Sequence, residues 1–439
     1  MFRKINNFLN ILDIDSLAFE TGFCKRIPQK ISPSNFLLSF FLCFRNAHFS
    51  LRNWSVQLSY IVGEPVSFQA IDKKIQFHKV DFIKQLFCKA CKLKFSRSHE
   101  NIVGKLSVFP RILIQDSTIV KLPDKHHAYS SGVSNGKIVK ALTRIQCCVD
   151  LMSGEIIDTA MCTYSENDTA YSSSILPLIQ RNDLILRDLG YFHIGVFKQI
   201  KKAGAYFISK LKGNVSIHCS KDEQRIDLVK YLKGLERNSI SSFDIQVKMG
   251  AKELLPVRLC GYKLSQEQAM KKRKHQKSAR HKSVNMTGKA IYLSNWALYI
   301  TNVDEELLDI NQIRKSYSLR WTIEMMFKLW KSHLKMNQLI FSSKTPNPAR
   351  PQMLLYLMLL YVVVVVNPTY KEMAKTIKDK FNAILSPIKF ANFLNNQINP
   401  KLNLKSDLNI YLVKKTCCYD NRADRTNFIQ TYNKLIFLG

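Results

Sequence analysis

Three carboxylates stand out for where they fall in the chain. Asp116 interrupts the apolar, β-branched stretch Arg111 to Val120 (RILIQDSTIV), and Asp188 closes Leu184-Ile185-Leu186-Arg187. Glu324 lies among Tyr317, Arg320, Lys328 and Lys331. A carboxylate buried without a partner costs several kcal/mol, so Asp116 requires a cation, a hydrogen-bond donor or access to water. Two acids at strands and a third on a downstream helix make an all-oxygen donor set suited to two divalent ions, Mg²⁺ or Mn²⁺. Ions about 3.5–4 Å apart activate an attacking oxygen and stabilise a leaving one in an in-line phosphoryl transfer, and cations beside the acid would hold phosphates. The alternative for each acid is a structural ion pair. For Glu324 that is an exposed pair with Lys328, worth about 0.2–0.5 kcal/mol. No stretch matches a nucleotide-binding Gly-rich loop, a Ser-His-Asp set or a zinc-protease motif.

The elements that must position these residues can be read from periodicity. At about 100° per residue, Tyr317, Arg320, Glu324, Lys328 and Lys331 share one side of a helix. Leu319, Ile323, Met326, Phe327, Trp330 and Leu334 gather on another, the core side. Ile138 to Val149 and Glu155 to Met161, with Ser153-Gly154 between them, read as the two strands after the Asp116 strand. A helix over Asp168 to Gln180 follows, then a strand to Arg187, a helix over Phe192 to Ala203 and a strand from Ala205 to Lys210. Gly190 permits the sharp exit after Asp188. This order predicts a mixed α/β sheet, with ligands gathered at strand ends. From 213 to 303 the pattern is mostly β, with FDIQVKM and LLPVRLCGYKL as strands. Lys271 to Lys282 (KKRKHQKSARHK) holds seven Lys or Arg and no acid; it reads as a solvated, mobile loop able to grip phosphates without reading sequence. Met353 to Val366 is wholly apolar or aromatic, too short for a membrane span of roughly 20 residues, and reads as a buried core element. Near the N-terminus, Leu51 to Ile61 and Ser67 to Phe77 flank Gly63-Glu64-Pro65, with Ser67 as a helix cap. They fit either a helix-turn-helix or an ordinary helical bundle.

Bulk composition narrows the partners. The 439 residues carry 66 Lys and Arg against 33 Asp and Glu, a formal charge of +33, with 46% hydrophobic residues and 26 Phe. Such a chain has ample core, so wholesale disorder is excluded, and its self-repulsion calls for a polyanion. Eleven scattered Cys and a start, Met1 to Asp13, without a signal peptide's apolar block point to a reducing cytoplasm. Cys88 and Cys91 form a lone C-x-x-C without a second zinc pair, while Cys147-Cys148 and Cys417-Cys418 read as small buried hydrophobes.

Tyr317, Arg320, Glu324 and Lys331 reproduce the spacing Y-x2-R-x3-E-x6-K, and the chain thereby resembles bacterial insertion-sequence transposases of the insertion sequence 4 family. Gln115-Asp116-Ser117-Thr118 and Asp188-Leu189-Gly190-Tyr191 resemble that family's two aspartate motifs, and the similarity extends from about 105 to 370. The resemblance implies an RNase H-like mixed-sheet core with a β-rich insertion between helical N- and C-terminal regions. The expected divisions are 1–100 (helical, DNA-binding), 101–212 and 304–370 (core), 213–303 (insertion) and 371–439 (dimerisation). It implies Mg²⁺-dependent cleavage at terminal inverted repeats, release through a hairpin, and strand transfer to target DNA by a homodimer in the bacterial cytoplasm. Asp116, Asp188 and Glu324 would be catalytic metal ligands. Tyr317, Arg320 and Lys331 would contact DNA, with Lys328 added from its place on the same helix side, and Trp296 and Trp321 would stack on or brace an extruded base, core packing being the other reading for either Trp. Two rivals remain at this level: a DNA-binding repressor without catalysis, and a nuclease of the same fold that cuts without joining.

Overall fold

Asp116 sits on the third strand along a ten-stranded mixed sheet. The computed structural model describes residues 11–28, 30–44, 49–95, 105–134, 139–251, 254–278, 286–341, 347–397 and 410–419. The strands are β1 (Ile112–Lys121), β2 (Ser131–Ser134), β3 (Val139–Asp150), β4 (Glu155–Thr163), β5 (Leu184–Arg187), β6 (Tyr206–Lys210), β7 (Ile217–Cys219), β8 (Ser242–Met249), β9 (Leu255–Lys263) and β10 (Trp296–Thr301). Their order is β2-β3-β1-β5-β6-β10-β9-β8-β7, with β4 paired to β3. β1, β5 and β6 run parallel, with Ile112 opposite Leu184 and Leu184 opposite Tyr206, while β3 is antiparallel to β1 and β4 to β3. Strands β4-β3-β1-β5-β6 thus form the RNase H-like half of the sheet expected from the sequence.

Continuous apolar runs rather than alternation mark β1 and β5 as strands covered on both faces. Ile112, Ile114, Leu184 and Leu186 point to one face, where they join a core with the helix Ala349–Tyr361 and the N-terminal helices. Leu113, Ile185 and Phe207 point to the other, against Val196, Phe197 and Ile200 of the helix Ile194–Lys202. The run Met353 to Val366 is buried at every position, as expected: an α-helix to Tyr361 and a π-helical turn over Val362–Val366. The continuous helix Ala349–Phe381 is long and apolar enough to cross a membrane, but 78% of its most apolar window is buried inside the protein. Cys147, Cys148, Cys417 and Cys418 are buried.

Several expectations are corrected. Residues 168–180 do not form an α-helix: Ala170–Leu178 is 3-10, with Pro177 inside it unable to donate a backbone hydrogen bond. The basic block is not a loop over its described part. Gln266–Ser278 is an α-helix, since Lys, Arg and Gln are good helix formers and Glu267 pairs with Lys271 one turn on; residues 279–285 lie outside the described residues. The insertion extends the central sheet directly, β10 pairing with β6. At the N-terminus Ser67 caps a helix as expected, accepting from the Ala70 N–H, but that helix is only Phe68–Asp72. Five residues span about 7.5 Å, too short to lie along a DNA groove. Trp54, Leu58, Phe36, Phe40, Phe82 and Leu86 are buried in the same core as the Ala349–Tyr361 helix, so this region is a helical bundle.

Candidate active site

The two aspartates reach the same end of the parallel strands for local reasons. On β1, the Ser117 N–H donates to Asp116 Oδ1 at 2.8 Å and holds the carboxyl against its own strand. Asp188 ends β5 and caps the 3-10 turn Leu189–Tyr191, accepting from the Gly190 N–H. Glu324 lies in the first turn of the helix Trp321–Lys328.

One guanidinium joins all three. Arg320 donates from Nη1 to Asp116 Oδ2 at 2.7 Å and from Nη2 to Glu324 Oε1, and its Nε lies 3.6 Å from Asp188 Oδ1. Burial pushes the Asp116 carboxyl up to about 7 despite Arg320, with Asp188 and Glu324 adding to the rise. Burial alone would lower the Arg320 pKa, but Asp188, Tyr317, Asp116 and Glu324 together carry it above its ordinary value. Among the described residues no three acidic, His or Cys side chains stand at metal-binding distance, the guanidinium lying between the carboxylates. Oxygen-only donors converging on one shared cation nevertheless fit hard divalent ions.

The other expected DNA contacts divide. Trp321 is 44% exposed beside Arg320, and Lys328 is exposed. Lys331 donates to the Ile119 carbonyl of β1 at 2.7 Å, tying its helix to the Asp116 strand. Tyr317 does not face a phosphate: it is buried, its hydroxyl donates to the Arg187 carbonyl at 3.3 Å, and it braces the end of β5. Trp296 is no stacking platform in this structure. It is wholly buried against Phe243 and donates from Nε1 to Glu236 at 3.1 Å, because β10 places it inside the insertion's core. The continuous helix expected through Tyr317 to Leu334 is broken into Ile310–Ser318, Trp321–Lys328 and a π turn over Leu329–His333. Its core side survives: Leu319, Ile323, Phe327, Trp330 and Leu334 are buried and Met326 is partly so.

Sequence reasoning passed over Asp168, Arg187 and Lys210. Asp168 Oδ1 accepts from Ser117 Oγ at 2.6 Å and Arg144 Nη1 at 3.1 Å, while a Cβ on Gly190 would stand 2.7 Å from its Oδ2. Asp168 therefore holds Ser117, the neighbour of Asp116, and packs against Gly190, two residues after Asp188. Gly190→Ala should displace that clamp and slow DNA cleavage by about 10²-fold, the cost of a misplacement near 1 Å, with the melting temperature little changed; wild-type turnover in this variant would remove the clamp's importance. Arg187, wholly buried and with no carboxylate partner among the described residues, donates to Gln115 Oε1, Ser172 O and Ser172 Oγ and lies over the rings of Tyr191 and Phe197. Arg187→Ala strands those acceptors and leaves a cavity, so a loss of about 2–5 kcal/mol is expected in urea unfolding. Lys210 ends β6 as Asp188 ends β5; that shared strand-end position was the signal that could have found it. Its Nζ lies 5.4 Å from the Tyr317 ring centre.

With this geometry in hand, comparison with known proteins is direct. The family described as "Transposase DDE domain" matches residues 107–362, from just before β1 through the buried helix. The chain is 28% identical over 361 residues to the transposase for insertion sequence element IS1151 of Clostridium perfringens, covering 76% of this chain and 74% of that one. It is 30% identical over 337 residues to the transposase for insertion sequence element IS231B of Bacillus thuringiensis subsp. berliner, covering 73% and 70%. A solved piggyBac transposase synaptic complex with hairpin DNA aligns at TM-score 0.41 and 11% identity, over 98% of this chain and 87% of that one. The sheet order is RNase H-like, and the family match identifies an enzyme of DNA phosphoryl transfer. The chain belongs to the transposase DDE domain family, whose chemistry depends on divalent metal. Its activity is DNA transposition, comprising DNA cleavage and strand transfer.

Proposed function

We propose that this transposase works by the cut-and-paste route of the insertion sequence 4 family's Y-x2-R-x3-E-x6-K branch, with Asp116, Asp188 and Glu324 as its metal ligands. The observation carrying the reading is that a single guanidinium, Arg320, meets acids delivered by β1, by the end of β5 and by a helix more than a hundred residues later. Two Mg²⁺ ions, replaceable by Mn²⁺, would activate the attacking oxygen and stabilise the leaving one when bound. The chain's own residues do the rest. The three acids hold the reacting centre, and Arg320, released from them, clamps the phosphate bidentately. Lys328 and Lys331 follow the backbone, and Trp321 offers an exposed ring to an unstacked base. Tyr317 sets the position of β5 beneath Asp188. The substrate would be the element's terminal inverted repeats, opened through a hairpin and joined to target DNA by a homodimer acting on the bacterial nucleoid. The helical region 1–100 would contribute end binding, and 371–439 would contribute assembly.

The test is incubation of purified protein with Mg²⁺ and duplexes carrying its element's own ends, with products resolved on a denaturing gel. Nicked, hairpin and joined species are expected. Cleavage without joining would mark a nuclease, binding without cleavage a repressor, and complete excision without a hairpin band would exclude that intermediate.

A further inference from the structure

The basic helix Gln266–Ser278 is not remote from the chemistry. On β10 the Leu298 carbonyl faces β6, accepting from the Leu211 N–H at 3.0 Å. Carbonyls two residues apart on a strand point the same way, so that of Trp296 also faces the β6 side. No β6 residue pairs with Trp296, since the register between these strands runs from Tyr299–Lys210 to Thr301–Ile208. Instead Lys272 of the basic helix donates to the Trp296 carbonyl at 2.6 Å. Its ammonium therefore caps the sheet just beyond the point where β6 delivers Lys210. Among the described residues, neither lysine is ion-paired with a carboxylate. Burial first, and then the Lys210 charge, push the Lys272 amine down to about 8. Burial and the Arg320 charge likewise lower Lys210, while Asp188 and Glu324 act in the opposite sense.

We infer that Lys272 and Lys210 form a phosphate-binding notch for the DNA backbone on its way to the three acids. Two amines without an ion-paired carboxylate among the described residues, Lys210 at the end of β6 beside the Asp188 strand and Lys272 reaching β10 from the basic helix, are the electrostatic complement of a phosphodiester. Adjacent strands lie about 4.8 Å apart, so the step from β5 through β6 to β10 is on the order of 10 Å. With a duplex axis running along this line, at about 3.4 Å of axis per nucleotide of one strand, the notch would hold a phosphate about three nucleotides from the cut. This rests on the proposed active site.

The experiment uses the full chain and a labelled element-end duplex, with affinity measured across a KCl series and cleavage measured separately. Lys272→Gln should reduce the slope of log affinity against log salt by about 0.9, the contribution of one phosphate. Lys272→Arg should keep the slope, and Lys230→Gln, at an exposed position of the helix Leu228–Arg237, serves as a one-charge control. A single neutral methylphosphonate about three nucleotides from the cut should reproduce the loss in wild type and add none to Lys272→Gln. An unchanged slope, or additive losses at every methylphosphonate position, would overturn the inference. So would a lowered melting temperature with unaltered DNA binding, which would leave Lys272 as a brace for Trp296. Intact binding with no cleavage by wild type would strike the active-site reading alone, because the slope is read without cleavage.

Discussion

Asp116→Asn, Asp188→Asn and Glu324→Gln are each expected to lower DNA cleavage and strand joining by at least about 10³-fold while end-DNA binding persists. Each amide keeps the shape of its carboxyl and removes the charge. Several kcal/mol of charge stabilisation in the transition state depends on that charge, and each 1.36 kcal/mol is tenfold in rate. Binding should survive because it rests on the chain's large cationic excess, a charge of +33 that one removed acid makes only more positive. The fold should survive too. Burial holds the Asp116 carboxyl up near 7, so an uncharged amide escapes a desolvation cost even as it weakens the contact with Arg320. A second readout separates chemistry from folding: wild type should gain thermal stability on adding Mg²⁺ or Mn²⁺, and each variant should lose most of that gain. Wild-type cleavage by any of the three, or loss of DNA binding by all of them, would sink the assignment.

The sequence displayed the site more fully than it displayed the site's supports. Asp116 and Asp188 were legible because each breaks an otherwise apolar strand, and Glu324 because it stands in a fixed pattern of aromatic and basic residues. The buried strands and the Met353–Val366 helix were legible for a similar reason, since long apolar runs leave few alternatives. What escaped were contacts fixed only by the packing of distant segments. Trp296 and Trp321 look equally suited to stacking, yet strand pairing in the insertion buries one and a helix start exposes the other. Tyr317 belongs to the signature, but nothing local shows that its hydroxyl turns inward to the Arg187 carbonyl. Asp168 reads from the sequence only as the start of a helix after the polar stretch Ser165 to Asn167; its role emerges only when β1, β3 and the Gly190 turn meet around it. The basic block misled for another reason. Charge density suggested a loop, whereas the absence of Gly and Pro from 266 to 278 and the Glu267–Lys271 pair favoured the helix.

Arg320→Ala should do two things that pull apart: tighten divalent-metal binding and slow cleavage by about 10²-fold or more. The guanidinium stands against all three acids, so an ion binding between them has to displace it. Without that competitor the carboxylates are left to the metal alone, and the metal concentration needed for half-maximal thermal stabilisation should fall. Cleavage should fall as well, because the freed guanidinium is the group positioned to clamp the phosphate, and losing such a preorganised donor typically costs about 10²–10³-fold. The metal-free variant should also reveal its uncompensated charge through pH. Asp116 already has its folded-state pKa raised from 3.8 to about 7, which penalises the folded state progressively as pH rises through that interval. Removing Arg320 takes away the main influence opposing the rise, so the penalty grows by on the order of a few kcal/mol. The melting temperature of metal-free Arg320→Ala should therefore stay close to wild type on this account at pH 4 to 6, fall progressively below it as pH rises past about 7, and recover when Mg²⁺ is added. Arg320→Lys offers one compact charge where three carboxylates meet a planar fork, so it should relieve the stability defect in part and the cleavage defect hardly at all. Weaker metal binding by Arg320→Ala, or a stability loss that is the same at pH 4 and pH 8, would show that the guanidinium and the metal do not compete for these acids.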